Sequence, residues 1–113
     1  MSTFRELAEE IHTTAVEHGW WDGVDVYNPE IFASKIALMH SELSEALEER
    51  RDSRPSVYLG DGGKPEGVAI ELADCIIRIL DLAGALGLDL DEAVSLKMAY
   101  NKTRPYKHGG KAI

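Results

Sequence analysis

The chain has 113 residues, of which 44% are apolar and one is a cysteine, and its formal net charge is −8. This length predicts a single domain, and the lone cysteine excludes an internal disulfide framework. The negative charge argues against a general affinity for nucleic acid, and no stretch approaches the ~20 apolar residues of a membrane span. Because the N-terminus carries no apolar signal core, we expect a cytoplasmic protein that binds neither nucleic acid nor membranes.

Start and stop signals predict four helices. The first follows a Thr-x-x-Glu capping box, and the second begins at an Asn-Pro pair, an N-cap followed by the residue favoured in the first turn. The third begins at a Pro-Glu pair, and the fourth begins at an aspartate that has a glutamate three residues on. The predicted helices cover about residues 3–18, 29–51, 65–86 and 89–102, and a basic tail follows at 103–113.

The expected fold is all-α, a four-helix bundle-type protomer. No stretch alternates convincingly between apolar and polar residues, and the segment 52–64, rich in Gly, Pro and Ser, is typical of a surface loop. The third helix is apolar on more sides than a protomer of this size can cover. We therefore expect the protomer to assemble as a homo-oligomer.

The charge is unevenly distributed along the chain. Residues 1–96 contain all 20 acidic residues and seven basic ones, which leaves −13, whereas residues 97–113 contain five basic residues and no acid. Such a chain could bind cations on its acidic body and anions at its basic end. A solvated basic tail would give the same pattern.

Acidic residues form a line on each of the two central helices. At ~100° per residue, the charged positions of the third helix fall within about 80° of arc, although the helix is otherwise apolar. If the two helices pack antiparallel, four carboxylates come together, and a hard cation such as Mg²⁺ relieves their repulsion. Two ordinary solvent-exposed faces are the alternative, more readily for the second helix than for the third. The lines are Lys35, Glu42, Glu45 and Glu49 on the second helix and Glu71, Asp74, Arg78 and Asp81 on the third.

The donor types favour magnesium over iron. A di-iron carboxylate bundle uses Glu-x-x-His on two helices, and this chain has that spacing once, at Glu9-x-x-His12. Neither acidic pair is followed by a histidine. Oxygen-preferring Mg²⁺, with Mn²⁺ as a possible substitute, therefore fits better.

Three motifs together carry a family resemblance. They are Glu42-x-x-Glu45 followed by Glu71-x-x-Asp74, then Lys97-x-x-x-Asn101-x-x-Arg104, then a closing Arg-Pro-Tyr-Lys-His-Gly-Gly-Lys run. The chain resembles the MazG-like all-alpha nucleoside triphosphate pyrophosphohydrolases of the compact single-domain type. The resemblance implies Mg²⁺-dependent attack of water at the α-phosphorus with release of pyrophosphate. It also implies a homodimer or a dimer of dimers with the site at or near the subunit interface.

One position departs from the family pattern. Family members often have Glu-Glu-x-x-Glu in the second helix, but this chain has Ser41 before Glu42. The additional glutamate holds a second metal or activates water in some members. Glu49 or Asp81 could take that role; a single metal that suffices for the reaction is the other alternative.

The basic and aromatic residues supply candidates for binding the nucleotide. Lys97 and Arg104 lie seven residues apart on one face of the fourth helix, where arginine can bind phosphate with a bidentate fork. Each basic residue, taken singly, could equally be a solvated surface residue, and Trp21 could be a packing anchor in place of a base platform. The predicted substrate-binding residues are Lys35, Lys97, Asn101, Arg104, Tyr106, Lys107, His108 and Trp21.

The sequence thus predicts an enzyme that hydrolyses an NTP or dNTP to its monophosphate and pyrophosphate, with deoxynucleotides favoured, in control of a nucleotide pool. The predicted catalytic and metal-binding residues are Glu42, Glu45, Glu71 and Asp74. A non-catalytic, metal-binding helical interaction module is the alternative. That alternative explains the acidic faces but not the basic fourth helix and tail.

Overall fold

The computed structural model describes residues 2–106. It is mostly helical, as the sequence predicts, with a two-stranded antiparallel hairpin between the second and third helices. None of the described helices is both long enough and apolar enough to cross a bilayer. In chain order the elements are α1 (Phe4–Glu17), α2 (Pro29–Arg51), β1 (Tyr58–Leu59), a 3₁₀ turn (Asp61–Gly63), β2 (Pro65–Glu66), α3 (Val68–Leu86) and α4 (Leu90–Thr103).

The helix starts follow the capping signals in the sequence. The Thr3 hydroxyl accepts a hydrogen bond from the Glu6 amide at 3.1 Å, and the Thr3 amide donates to the Glu6 carboxylate at 3.3 Å. This is the predicted capping box, which satisfies amides that the first helical turn leaves unpaired. Asn28 caps α2 in the same way through the amide of Glu30 at 2.9 Å, and Asp89 caps α4.

The third helix begins at Val68, three residues later than the sequence pattern predicts. Pro65 and Glu66 form strand β2, which pairs with β1, and Gly67 then turns the chain into the helix. Gly67 has a φ of 118°, and a Cβ there would collide with the carbonyl oxygen of Ser56. Only glycine fits this conformation, so the helix cannot extend back through it.

Helices α2 and α3 pack antiparallel and hold a small core between them. The Cys75 thiol lies 3.7 Å from the Met39 carbonyl oxygen, and both side chains are buried. Helix α1 covers another side of α3, where Gly84 permits close approach, since a Cβ there would lie 3.0 Å from the Ala8 carbonyl oxygen. Partly buried side chains complete the α2–α3 core, namely Trp21, Val26, Ile36 and Leu86.

Helices α1, α2 and α3 form a three-helix body. Among the described residues, helix α4 packs against this body mainly through α1. The Asp91 carboxylate accepts hydrogen bonds from the amides of Phe4 and Arg5 at 3.0 and 3.1 Å, and the Arg5 guanidinium pairs with Asp89 at 3.0 Å. No side chain of α4 is fully buried. The fourth helix therefore leaves much of the body's surface uncovered.

A large apolar face remains exposed on the α2–α3 pair. The helical period places the exposed apolar residues of α2 and those of α3 on the same side of the pair, next to each other. Soluble monomers rarely expose so large a contiguous apolar patch, so this face is the expected site of self-association. Its members, between 39% and 53% exposed, are Phe32, Leu43, Leu47, Leu72, Ile76 and Ile79.

We expect Ile76→Glu to weaken self-association by at least about tenfold, because a glutamate buried in an apolar interface loses its hydration without gaining a partner. Val16→Glu, a matched change at an exposed position on α1, should leave the assembly unchanged. Sedimentation equilibrium at micromolar concentration measures both effects. A stable monomeric wild type, or equal weakening by both variants, would contradict the assignment of this face.

Candidate metal centre

The antiparallel packing of α2 and α3 brings three acidic side chains together. One carboxylate oxygen from each of Glu42, Glu45 and Glu71 lies within 4.8 Å of the other two. Glu42 is buried, Glu71 is half-buried and Glu45 is exposed, so the cluster opens to solvent at Glu45. Three carboxylate oxygens at this spacing could hold a metal ion, which would relieve their mutual repulsion.

Glu71 is the residue of the cluster whose hydrogen bonding is incomplete. Its Oε2 atom is buried and has no hydrogen-bond partner among the described residues. Burial, followed by the neighbouring Glu45 and Glu42, raises the pKa of Glu71 to about 7. Near neutral pH this carboxyl therefore binds a proton or a cation readily, because either one neutralises a buried charge.

The pKa of Glu42 is shifted in the opposite direction, below its ordinary value. Burial alone would raise its pKa, but the guanidinium of Arg78, which donates from Nε to Glu42 Oε1 at 2.9 Å, lowers the pKa below its ordinary value. Hydrogen bonds from Glu71 and Glu45 act in the same direction. The two pKa shifts therefore run in opposite directions, so Glu71 binds a proton more readily than Glu42, which is paired with Arg78.

Asp74 lies beside the cluster but is not one of the three converging residues. It is half-buried on α3, and burial raises its pKa, followed by the charge of Glu42. Arg78 and Lys64 oppose that shift. Three of the four predicted metal ligands thus meet within 4.8 Å, and Asp74 is electrostatically coupled to them.

An open cleft of about 380 Å³ lies over the cluster. The hairpin between α2 and α3 forms one of its walls and contributes Lys64 and Glu66. Lys64 is the one cation that lines the cleft among the described residues. The lining residues are Ser44, Glu45, Glu48, Glu49, Lys64, Glu66 and Glu71.

Glu49 anchors the hairpin to α2. Its carboxylate is 9% exposed and accepts hydrogen bonds from the Tyr58 hydroxyl at 2.8 and 3.0 Å and from Arg54 at 3.2 Å. Burial raises the pKa of Tyr58, and the hydrogen bond to Glu49 raises it further, so the phenol remains a donor. These contacts fix one wall of the cleft against the helix that carries Glu42 and Glu45.

The departure at Ser41 can be followed in the structure. The Ser41 hydroxyl donates to the carbonyl oxygen of Leu38 at 2.6 Å and is exposed, so it faces its own helix backbone. Of the two possible substitutes, Glu49 lines the cleft. Asp81 instead accepts hydrogen bonds from the Trp21 indole at 3.0 and 3.2 Å and contacts His12 at 2.8 Å. Asp81 therefore belongs to a different polar group.

Two predicted substrate residues lie in that second group. Trp21 is half-buried against the core, its indole N–H bonded to Asp81. The ammonium of Lys35 lies 4.4 Å from the centroid of the Trp21 ring. His12, the histidine of the Glu-x-x-His spacing, packs edge-on against the same ring at 5.2 Å. Neither Lys35 nor Trp21 lines the cleft, and the structure gives both a packing role.

The predicted phosphate contacts on the fourth helix also lie outside the cleft of a single protomer. Lys97 and Arg104 lie over the ring of Tyr100, at 5.0 and 5.8 Å from its centroid. Asn101 is exposed on the same helix, and Tyr106 is 86% exposed. The other two predicted residues, Lys107 and His108, lie outside the described part of the chain.

Lys64, Tyr58 and Arg54 are features of the site that the sequence pattern did not single out. They occur in the segment 52–64, whose Gly, Pro and Ser content is typical of a surface loop. The paired glycines before Lys64 are the available signal, because they permit the tight turn that returns the chain toward α2. That turn carries Lys64 to the cleft.

Comparison of the chain with protein-family models, with curated proteins and with solved structures gave no significant match. The resemblance to the pyrophosphohydrolases therefore depends on the motif residues alone.

Glu71→Gln should stabilise the metal-free protein at pH 8. The folded-state pKa of about 7 exceeds the unfolded value of 4.5, so stability falls as the pH rises between these values, and glutamine removes that dependence. At pH 8 we expect the Tm of Glu71→Gln to exceed that of wild type by about 4 °C or more for each kcal/mol gained in the free energy of unfolding. At pH 4.5 we expect no such difference.

Thermal denaturation in EDTA across this pH range measures the effect, with Glu9→Gln as the control for losing a carboxylate on an exposed helical surface. Added Mn²⁺ should raise the Tm of wild type and not that of Glu71→Gln, because only the wild-type site binds the ion. Parallel pH profiles of wild type and Glu71→Gln would show that Glu71 does not carry the proton.

Proposed function

We propose that the chain is a Mg²⁺-dependent nucleoside triphosphate pyrophosphohydrolase that converts an NTP or dNTP and water to the monophosphate and pyrophosphate. One observation carries the proposal: three carboxylates from two antiparallel helices converge, two of them, Glu45 and Glu71, line an open cleft, and the buried Oε2 of Glu71 has no hydrogen-bond partner among the described residues. The family resemblance supplies the substrate class, with deoxynucleotides favoured, and the role in control of a nucleotide pool.

The chemistry of the donors fits magnesium. Glu42, Glu45 and Glu71 offer oxygen atoms only, and within residues 2–106 no histidine or cysteine accompanies them in the cluster. This set favours Mg²⁺ or Mn²⁺ over zinc or iron. Bound there, the ion supplies polarisation of the phosphoryl oxygens and activation of water.

The protein's own residues prepare the site for a cation. Arg78 keeps Glu42 ionised, so one ligand is available without loss of a proton. Glu71 releases its proton when the cation binds, and Asp74 adds negative charge beside the cluster. Exposed Glu45 leaves the outer side open, where the cleft can admit a substrate as large as a triphosphate.

Self-association gives the basic fourth helix a place in this proposal. Lys97, Asn101 and Arg104 do not line the cleft of their own protomer, whereas the apolar face of α2 and α3 invites a second copy. We propose a homodimer or a dimer of dimers in which α4 of one protomer faces the cleft of another. The acidic site repels a bare polyanion, and the basic helix would counter that repulsion.

The alternative, a non-catalytic metal-binding interaction module, is favoured by the same exposed apolar face. It makes no use of a cleft beside the carboxylates. Release of pyrophosphate separates the two functions directly.

A panel of NTPs and dNTPs with Mg²⁺ should yield pyrophosphate and the monophosphate. Glu71→Gln should reduce turnover by about 100-fold or more, because a metal ligand contributes several kcal/mol to stabilising the transition state. Glu9→Gln should match wild type. Near-normal turnover in Glu71→Gln would contradict the proposed metal centre. If no nucleotide of the panel yields pyrophosphate, the result would favour the interaction module.

Mixing two inactive variants tests where the fourth helix acts. We expect Arg104→Ala to weaken substrate binding strongly and to leave Mn²⁺ binding in the absence of nucleotide intact. If α4 serves the cleft of the other protomer, an equal mixture of Glu71→Gln and Arg104→Ala, dissociated and reassembled, should regain about a quarter of wild-type activity, since half the dimers are mixed and one of their two sites is intact. No recovery on mixing would place Arg104 with its own protomer or outside the site.

A further inference from the structure

Lys64 occupies a position that the carboxylate cluster alone does not explain. It follows the 3₁₀ turn of the hairpin and lines the cleft together with five carboxylates. Its backbone is fixed, since the Lys64 carbonyl oxygen accepts a hydrogen bond from the Gly60 amide at 2.7 Å. The side chain is exposed and forms no ion pair with a described carboxylate. Its charge nevertheless reaches Asp74, beside the cluster.

Several other cations of the body are engaged elsewhere. Arg78 is bonded to Glu42 within the cluster, and Lys35 lies over the Trp21 ring. Arg54 pairs with Glu49 and with Asp52 at 3.2 and 3.0 Å. Arg50 forms no ion pair with a described carboxylate, but it does not line the cleft. Among the described residues that line the cleft, Lys64 is therefore the cation, and it can turn toward an anion there without giving up an ion pair.

Contacts at the open end of the hairpin that carries Lys64 hold it to α2. The Tyr58 hydroxyl bonds to the buried carboxylate of Glu49, and Gly67 fits against the Ser56 carbonyl oxygen at the same, open end of the hairpin. A lysine on a fixed backbone still has four rotatable side-chain bonds, so its ammonium can follow a phosphate group. The backbone position of Lys64 is therefore set, and its side chain can adjust to the position of the phosphate.

We infer that Lys64 binds the phosphoryl oxygens of a polyphosphate held at the carboxylate–metal cluster, and that the Tyr58–Glu49 contact positions it. The inference rests on the proposed function, to which it adds a phosphate-binding residue within the same protomer as the metal ligands. A divalent ion neutralises only part of the charge of a triphosphate, and the cleft walls are otherwise acidic. A cation at the cleft wall supplies the missing attraction.

Binding of pyrophosphate in the presence of Mn²⁺, followed by isothermal titration, tests the inference without requiring turnover. Lys64→Gln should weaken pyrophosphate binding by about tenfold while Mn²⁺ binding alone stays unchanged. Lys64→Arg, which keeps the charge, should retain most of the affinity. Arg50→Gln, the same charge change at an exposed position on α2 outside the cleft lining, is the matched control and should behave as wild type. The loss should shrink in high salt, because the contact is exposed.

The positioning role of Tyr58 needs a second measurement. Tyr58→Phe removes the hydrogen bond to Glu49 and should weaken pyrophosphate binding in wild type but have little further effect in the Lys64→Gln background. Such coupling in a double-mutant cycle is the mark of one residue acting through another. Additive losses would assign Tyr58 a structural role only.

The outcomes separate this inference from the proposed function. Equal pyrophosphate affinity in Lys64→Gln and Arg50→Gln overturns the inference, and so does a wild type that binds no pyrophosphate with Mn²⁺. If Lys64 governs pyrophosphate binding but no nucleotide is hydrolysed, the polyphosphate site stands and the hydrolase proposal fails. If nucleotides are hydrolysed with unchanged KM in Lys64→Gln, the hydrolase stands and the assignment of Lys64 fails.

Discussion

Repulsion among three carboxylates at the packing contact of α2 and α3 is the constraint on which the rest of the site depends. The helices must approach closely to bury the small core around Met39 and Cys75, and that approach also brings Glu42, Glu45 and Glu71 together. The metal-free protein relieves the repulsion in two ways, by an ion pair on one carboxylate and a raised pKa on another. A divalent cation would replace both with a single charge placed between the ligands.

In the proposed function, metal binding and anion binding fall to different elements. The carboxylates lie on α2 and α3, whose positions are fixed by core packing, whereas Lys64 lies on the hairpin and the candidate phosphate contacts Lys97 and Arg104 lie on α4 and at its end. Rigid helices suit a metal, which requires its ligands at short, defined distances. Side chains on a hairpin or on a loosely packed helix can adjust to phosphates of different lengths.

Much of this could be predicted from sequence where the cause is local. Capping residues act within one turn, so the starts of α1, α2 and α4 were predictable, and the three-residue spacing of the glutamates placed them on a common face. The hairpin could not be predicted, because two-residue strands show no alternation and their pairing depends on Gly67 meeting Ser56 across the turn. The contact of Lys35 was not predictable for a related reason: it shares a helix line with Glu42, but its ammonium lies over the Trp21 ring, whose indole is bonded to Asp81.

Gly84 packs α3 against α1 without any charged contact, yet this packing affects where the basic helix α4 lies. The missing side chain lets α1 lie against α3, and α1 in turn holds the start of α4 through Asp89 and Asp91. A methyl group at position 84 would push α1 outward, and the basic helix would be carried with it. The close packing of α1 against α3 at Gly84 thus helps to set the distance between the basic helix α4 and the acidic cluster.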